Sequence, residues 1–164
     1  MRVRMQNPEA LIDLNKKFGA EPGDVIRLLL KARECGLDVA GLAFHVGSQA
    51  TQHHAYLNAI KLCRGLFDEA LGLGMKLRIL DIGGGFPIRA PGSEKINIQA
   101  IFSSINAALD EYFPATEIWA EPGRFICGTS VKLITRVIGK QHRDNQDWYF
   151  LDEGIYGTFS GVIF

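Results

Sequence analysis

The sequence predicts an α/β fold: consecutive parallel βα units of a sheet or barrel, giving way near residue 128 to an antiparallel β region. Three observations carry this. Apolar strand-like runs alternate with amphipathic helical stretches up to about Glu121. Each strand-like run ends in a short loop that carries glycine: Gly47 after His45, then Gly83-Gly84-Gly85, then Gly123 after Glu121. The repeat is also regular, with 38 residues from His45 to Gly83 and again 38 from Gly83 to Glu121. Glycine makes up 18 of 164 residues, against a usual share of about 7%. The excess sits at strand ends, where α/β enzymes place their chemistry.

The elements follow in order. The opening RVRM alternates, and Asn7-Pro8 signals a turn and a helix start. Residues 8–18 put Ala10, Leu11, Leu14 and Phe18 on one helical stripe that Gly19 closes. Pro22 opens a second helix carrying Val25, Ile26, Leu28, Leu29 and Ala32, with Gly36 as its stop. Leu37 to Val46 reads as a buried strand, and a long helix from about His54 to Leu73 carries Ile60, Leu62, Leu66, Phe67, Ala70 and Leu71. Lys76 to Ile82 is the next strand, RAPGSEK a polar loop, Ile96 to Tyr112 an amphipathic helix and Glu117 to Ala120 a short strand.

After Arg124 no helical pattern returns. Ser130 to Ile138 is alternating and β-branched, HRDNQD is a polar turn, and WYFLDEG and GTFSGVIF read as further strands. The expected domains are residues 1–127, a partial βα barrel, and residues 128–164, the start of an incomplete β domain. Strand character runs to both termini, and four βα-type strands cannot close a barrel that takes eight. The chain is therefore expected to be a segment of a larger enzyme, and on its own to aggregate or stay partly unfolded.

Composition removes several function classes. Eighteen Lys and Arg balance eighteen Asp and Glu, so no basic excess is available to neutralise phosphates, and nucleic acid is not an expected partner. No apolar run approaches the length of a membrane helix, and the N-terminus has no signal-like core, so the expected location is the cytoplasm. Cys35, Cys63 and Cys127 are odd in number and widely spaced, which fits neither a disulfide framework nor a zinc site. No metal is expected.

Three strand ends carry the chemistry. Gly83-Gly84-Gly85 lets backbone N–H groups converge on an anion with no Cβ in the way, or else forms a flexible turn. It is neither a P-loop, since no Gly-Lys-Ser/Thr follows, nor a dinucleotide fingerprint, since Phe86-Pro87 replaces the helix start. His45, in Phe44-His45-Val46-Gly47-Ser48, is either a hydrogen-bonded core histidine or a group on the active-site face, with Ser48 placed to donate to a phosphate. Glu121-Pro122-Gly123-Arg124 is either a local ion pair at a turn or a loop with two roles. In the second reading Glu121 faces a cationic ring nitrogen and Arg124 holds a phosphate.

In that order, GLAFHVGSQ, LDIGGGFP and AEPGRF resemble segments of the pyridoxal-phosphate-dependent decarboxylases built on an alanine-racemase-like barrel. Those enzymes act on ornithine, lysine, arginine or diaminopimelate. NKKFGA and LDEGIYGTFSG extend the resemblance through essentially the whole chain, and Phe86-Pro87 with Gly154-Ile155-Tyr156-Gly157 resembles the ornithine/lysine branch. The resemblance implies the C-terminal part of a (β/α)8 barrel that binds pyridoxal 5'-phosphate. His45 would stack on the cofactor ring. Ser48 and the backbone of Gly83, Gly84 and Gly85 would hold its phosphate, with Arg124 on the Gly123 loop. Glu121 would pair with the pyridine nitrogen, and Arg2 would help keep Glu121 ionised. Tyr156 would line the site from the β-domain side, and Lys17 would lie at the interface of a homodimer.

The lysine that anchors the cofactor, and the cysteine–aspartate motif that reaches across the dimer, have no counterpart in these residues. Lys16, Lys17, Lys31 and Lys61 are expected on helices, Lys76 at the wrong end of its strand, Lys95 in a loop, and Lys132 and Lys140 in the β region. Cys127 reads as a small buried residue rather than a nucleophile. The resemblance thus implies decarboxylation of ornithine or lysine, to putrescine or cadaverine, by the parent enzyme, with this chain alone inactive. The alternatives are a non-catalytic, partner-binding truncated relative, a diaminopimelate decarboxylase, and an unrelated phosphate-binding barrel.

Overall fold

The structure, a computed structural model, describes residues 1–5, 15, 17–88 and 96–163. The helix expected over residues 8–18 falls largely outside the described residues, as do Lys16 and the polar loop at residues 89–95. Lys17 sits in a turn rather than on a helix. The chain forms two compact units, Met1–Gly128 and Thr129–Phe164.

In the first unit, helix α1 spans Pro22–Glu34, with Pro22 at its start, Asp24 in the first turn and Lys31 and Arg33 in the last. These charges complement the helix dipole, and Val25 and Leu29, four apart, form the buried stripe. Strand β1 (Gly41–Ala43) follows, then α2 (His53–Gly72), β2 (Ile79–Asp81), α3 (Ile98–Tyr112), β3 (Glu117–Trp119) and the short α4 (Gly123–Cys127). Helix α2 buries Tyr56, Ala59, Ile60, Cys63, Phe67 and Ala70 at helical spacing, whereas Leu62 and Leu71 face outward. The Asn97 side chain caps α3 by accepting from Ala100 N–H, 3.0 Å away.

The three strands pair in the order β1-β2-β3, both pairings parallel, with Ala43, Asp81 and Trp119 in register. The N-terminal residues extend the sheet: Arg2 bridges to Ala43 and Val3 to Ala20, again in parallel. One sheet face carries the core, where Leu42, Phe44 and Leu80 are almost fully buried with the helix stripes. The other face presents Gly41, Ala43, Ile79, Asp81 and Trp119, with Trp119 51% exposed. The strands are shorter than the apolar runs suggest. Leu37 is exposed and extended pairing begins at Gly41, because a strand persists only where a neighbour satisfies its backbone. Among the described residues the sheet is open, and no barrel closure is seen.

Beyond Arg124 the structure departs from expectation in three places. A helical turn, α4, occupies Gly123–Cys127, too short to leave a periodic pattern, and Cys127 is exposed rather than buried. In the second unit residues 130–136 are irregular, and strand β4 runs Val137–Arg143 against β5 (Gln146–Leu151) as an antiparallel hairpin. The polar run contributes strand on both sides. Only Asp144 and Asn145 turn, with φ of 52° and 60°, the two-residue geometry that matches strand twist. The last expected strand is instead a 3-10 helix over Thr158–Ile163. Its start is organised by Glu153, whose carboxylate accepts from Gly154 N–H, Thr158 N–H and the Thr158 hydroxyl.

Each unit leaves large apolar side chains in water. Ile126 in the first is 68% exposed, and in the second Val131 is 81% and Ile134 93% exposed. Surface of that kind seeks burial. The isolated 164-residue chain should therefore self-associate. Light scattering of the purified chain should show oligomers at micromolar concentration, and a cooperative thermal transition from a clean monomer would contradict this.

Candidate active site

The loops that leave β1, β2 and β3 meet at the C-terminal ends of the strands. Around them lies a cavity of about 290 Å³ lined by His45, Ser48, Gly85, Phe86, Glu121, Pro122, Gly123, Arg124 and Phe125. A larger cavity of about 350 Å³, along the open sheet face near Met1, Leu37, Val39 and Trp119, is mostly apolar and has Asp38 and Asp81 as its charged groups. It has no cluster of donors for an anion, so the smaller cavity is the candidate site.

The three glycines are required first by packing. A Cβ on Gly83 would lie 2.0 Å from the Phe44 carbonyl oxygen, on Gly84 2.4 Å from that of Glu121, and on Gly85 2.0 Å from that of Gly47. Gly83 and Gly85 also adopt φ of +64° and +90°. Glycine therefore lets the loops after His45, Asp81 and Ala120 touch one another.

Their polar groups divide cleanly. The carbonyls of Gly83, Gly84 and Gly85 accept from Glu121 N–H, the Tyr56 hydroxyl and Ala50 N–H at 2.8, 3.0 and 2.8 Å. Gly83 N–H donates to the Asp81 carboxylate at 2.8 Å. The N–H groups of Gly84 and Gly85 donate to nothing among the described residues. Two amides are thus available to an anion.

His45 is half-buried, and its Nδ1 accepts from Gly47 N–H at 3.0 Å. A neutral ring therefore carries its proton on Nε2, and an imidazolium would set two N–H groups against each other. Burial is the main force holding its pKa below the ordinary histidine value, the Arg2 charge adds to it, and the Asp81 carboxylate opposes both. The unfolded chain therefore takes up this proton at a higher pH than the folded one. The resulting stability is fully present above about pH 6.5 and is lost as pH falls through the lowered folded value. The melting temperature of the complete polypeptide should drop on acidification below about pH 6.5, and less steeply in His45→Gln. Equal slopes would contradict the assignment.

Arg2 does not line the cavity, and its Nε and Nη2 are buried with no hydrogen-bond partner. Its guanidinium carbon lies 5.2 Å from the centre of the Phe18 ring. Arg2 and Glu121 form no ion pair among the described residues, and neither do Glu121 and Arg124. The local ion pair that could have explained the Glu121–Arg124 loop is thus absent from it, leaving both charges exposed beside the cavity. Tyr156 lies in the second unit and is fully exposed.

The whole first unit, residues 1–128, matches the family model described as the pyridoxal-binding domain of the pyridoxal-dependent decarboxylases. The chain belongs to this family. It is 48% identical over its full length to the lysine/ornithine decarboxylase of Selenomonas ruminantium, of which it spans 42%. A crystal structure of lysine decarboxylase from that organism superposes on 99% of the chain at a TM-score of 0.87 and 48% identity, again covering 42% of that chain. An arginine decarboxylase from Paramecium bursaria Chlorella virus, bound to agmatine, superposes on 99% at a TM-score of 0.85 and 41% identity, covering 44% of it. The chain therefore spans less than half the length of these decarboxylases.

A pyridoxal-dependent decarboxylase needs a site for a phosphate and an acid for a pyridine nitrogen, and the residues present fit both. The free Gly84 and Gly85 amides, the Ser48 hydroxyl and the Arg124 guanidinium suit a phosphate. The Glu121 carboxylate, unpaired among the described residues, suits a protonated ring nitrogen, and the buried Arg2 Nε and Nη2 have no hydrogen-bond partner there. Sequence reasoning passed over two contributors. Asp81 fixes the first glycine, and Tyr56 reaches the second from α2. Asp81 stood inside a quoted motif, LDIGGG, and could have been suspected as a turn-forming acid. Tyr56 looked like one more apolar position of a helix.

Proposed function

We propose that this chain is the cofactor-holding part of a pyridoxal-phosphate-dependent decarboxylase that acts on lysine or ornithine. The observation that carries it is a cavity at three parallel strand ends, with phosphate donors and a carboxylate on its walls that lack partners among the described residues. The 48% identity to the lysine/ornithine decarboxylase of Selenomonas ruminantium supports lysine or ornithine as substrate. In this reading the first unit is the C-terminal part of a (β/α)8 barrel, and residues 128–164 begin a β domain completed by further chain.

Pyridoxal phosphate supplies an electron sink for the pair left on Cα when carbon dioxide departs. The residues here bind and orient it. Ser48, Arg124 and the Gly83–Gly85 backbone hold the phosphate, with Gly123 beside Arg124 on the cavity wall. The neutral His45 ring offers a flat face to the pyridine. Glu121 holds a proton at the ring nitrogen, and Arg2, whose Nε and Nη2 are buried, favours the ionised form of a nearby carboxylate. Lys17 contributes to a homodimer interface, and the anchoring lysine comes from chain outside these residues.

The test is carbon dioxide release by the complete polypeptide loaded with pyridoxal phosphate and offered lysine, ornithine, arginine or diaminopimelate in turn. Cadaverine or putrescine should form from the first two. Release from diaminopimelate alone would move the chain to that branch, and release from none would leave the non-catalytic reading.

A further inference from the structure

The geometry points to Tyr56, a residue of α2 that does not line the cavity, as the positioning residue that aims the Gly85 N–H at the cofactor phosphate. This rests on the function proposed above.

Gly85 is the member of the glycine run that lines the cavity, and its N–H donates to no described group. That N–H belongs to the same planar, trans peptide as the Gly84 carbonyl, so the two point in opposite directions. Whatever holds the carbonyl therefore sets where the N–H points. The holder is the Tyr56 hydroxyl, 3.0 Å from the Gly84 oxygen. Peptides flanked by glycine on both sides have no Cβ to restrict rotation, so a hydrogen bond decides this plane where side chains decide others. The neighbouring peptides are held differently, by the backbone N–H groups of Glu121 and Ala50. Of the three glycine carbonyls, the central one alone is held by a side chain among the described residues.

Tyr56 is built for the task. It is fully buried, and its ring stacks on Phe86 with centroids 5.3 Å apart and planes 7° from parallel. Phe86 in turn packs against Phe102 and Phe125. The phenol therefore has little freedom. Burial pushes its pKa far above the ordinary tyrosine value, so it remains a donor at any working pH.

Tyr56→Phe removes the hydroxyl and keeps the stacked ring. The complete polypeptide, stripped of cofactor, is titrated with pyridoxal 5'-phosphate and separately with phosphate-free pyridoxal, and binding is followed by absorbance. The variant should bind the phosphorylated ligand about fivefold more weakly, the scale of one hydrogen bond. It should bind pyridoxal as the unaltered protein does. Equal weakening toward both ligands would mean that Tyr56 supports the fold generally, and unchanged binding of both would mean that the peptide plane holds itself. Either overturns the inference. If the unaltered protein binds neither ligand, the proposed function fails, and this inference with it.

Discussion

Replacing Glu121 by glutamine in the complete polypeptide should lower kcat by about two to three orders of magnitude, while affinity for pyridoxal phosphate changes by only a few-fold. Glutamine keeps the size and an acceptor oxygen but loses the charge that holds a proton on the ring nitrogen. An unprotonated pyridine is a poor acceptor for the electron pair left at Cα, so the loss falls on the transition state. Under the proposed function, binding would fall to other groups: the two free glycine amides, Ser48 and Arg124. Steady-state kinetics at saturating cofactor, together with a cofactor titration, separate the two effects. A large loss of affinity with unchanged kcat would place Glu121 in binding rather than catalysis.

The second large effect is steric. Alanine at Gly83 or Gly85 puts a Cβ 2.0 Å from a backbone oxygen, in a φ region that alanine adopts reluctantly. Neither the Phe44 nor the Gly47 carbonyl sits on a flexible side chain, so whole loops must move apart. We expect each substitution to destabilise by at least about 3 kcal/mol and to abolish cofactor binding by opening the cavity. Gly123 is the control. A Cβ there meets nothing within 4 Å and its φ is ordinary, so Gly123→Ala should change stability by less than about 0.5 kcal/mol. Denaturant titration of the three variants measures this. A destabilised Gly123→Ala beside an intact Gly83→Ala would refute the packing account.

Helices α1, α2 and α3 were legible because their apolar spacing is long and uninterrupted. Proline at the start of α1 and glycines beyond the helix ends then punctuated the chain. The order of the strand ends was legible too, since the repeat from His45 to Gly83 to Glu121 needs only counting. Strand lengths were not. Apolar runs such as Leu37–Val46 outlast the pairing, which depends on neighbours distant in sequence. The β region departs from expectation for the same reason: β-branched Val131, Ile134 and Thr135 join no strand pairing among the described residues, and the tail after Glu153 closes on that carboxylate as a 3-10 turn.

Within the site, charged and glycine residues announced themselves and their supports did not. The glycines were read as room for an anion, yet their missing Cβ atoms serve three backbone approaches, and only two of their amides stay free. That distinction lies in peptide orientation, which no residue type encodes. Asp81 and Tyr56 act through one hydrogen bond each to that backbone. A pattern of hydrophobicity and charge is blind to both.

Three strand-end loops of this chain are proposed to hold pyridoxal phosphate. The most direct test is a crystal structure of the complete polypeptide crystallised with that cofactor. The phosphate is expected within hydrogen-bond distance of the Gly84 and Gly85 amides and the Arg124 guanidinium, with the ring nitrogen facing Glu121. A cofactor bound elsewhere, or a ring nitrogen facing no carboxylate, would contradict it.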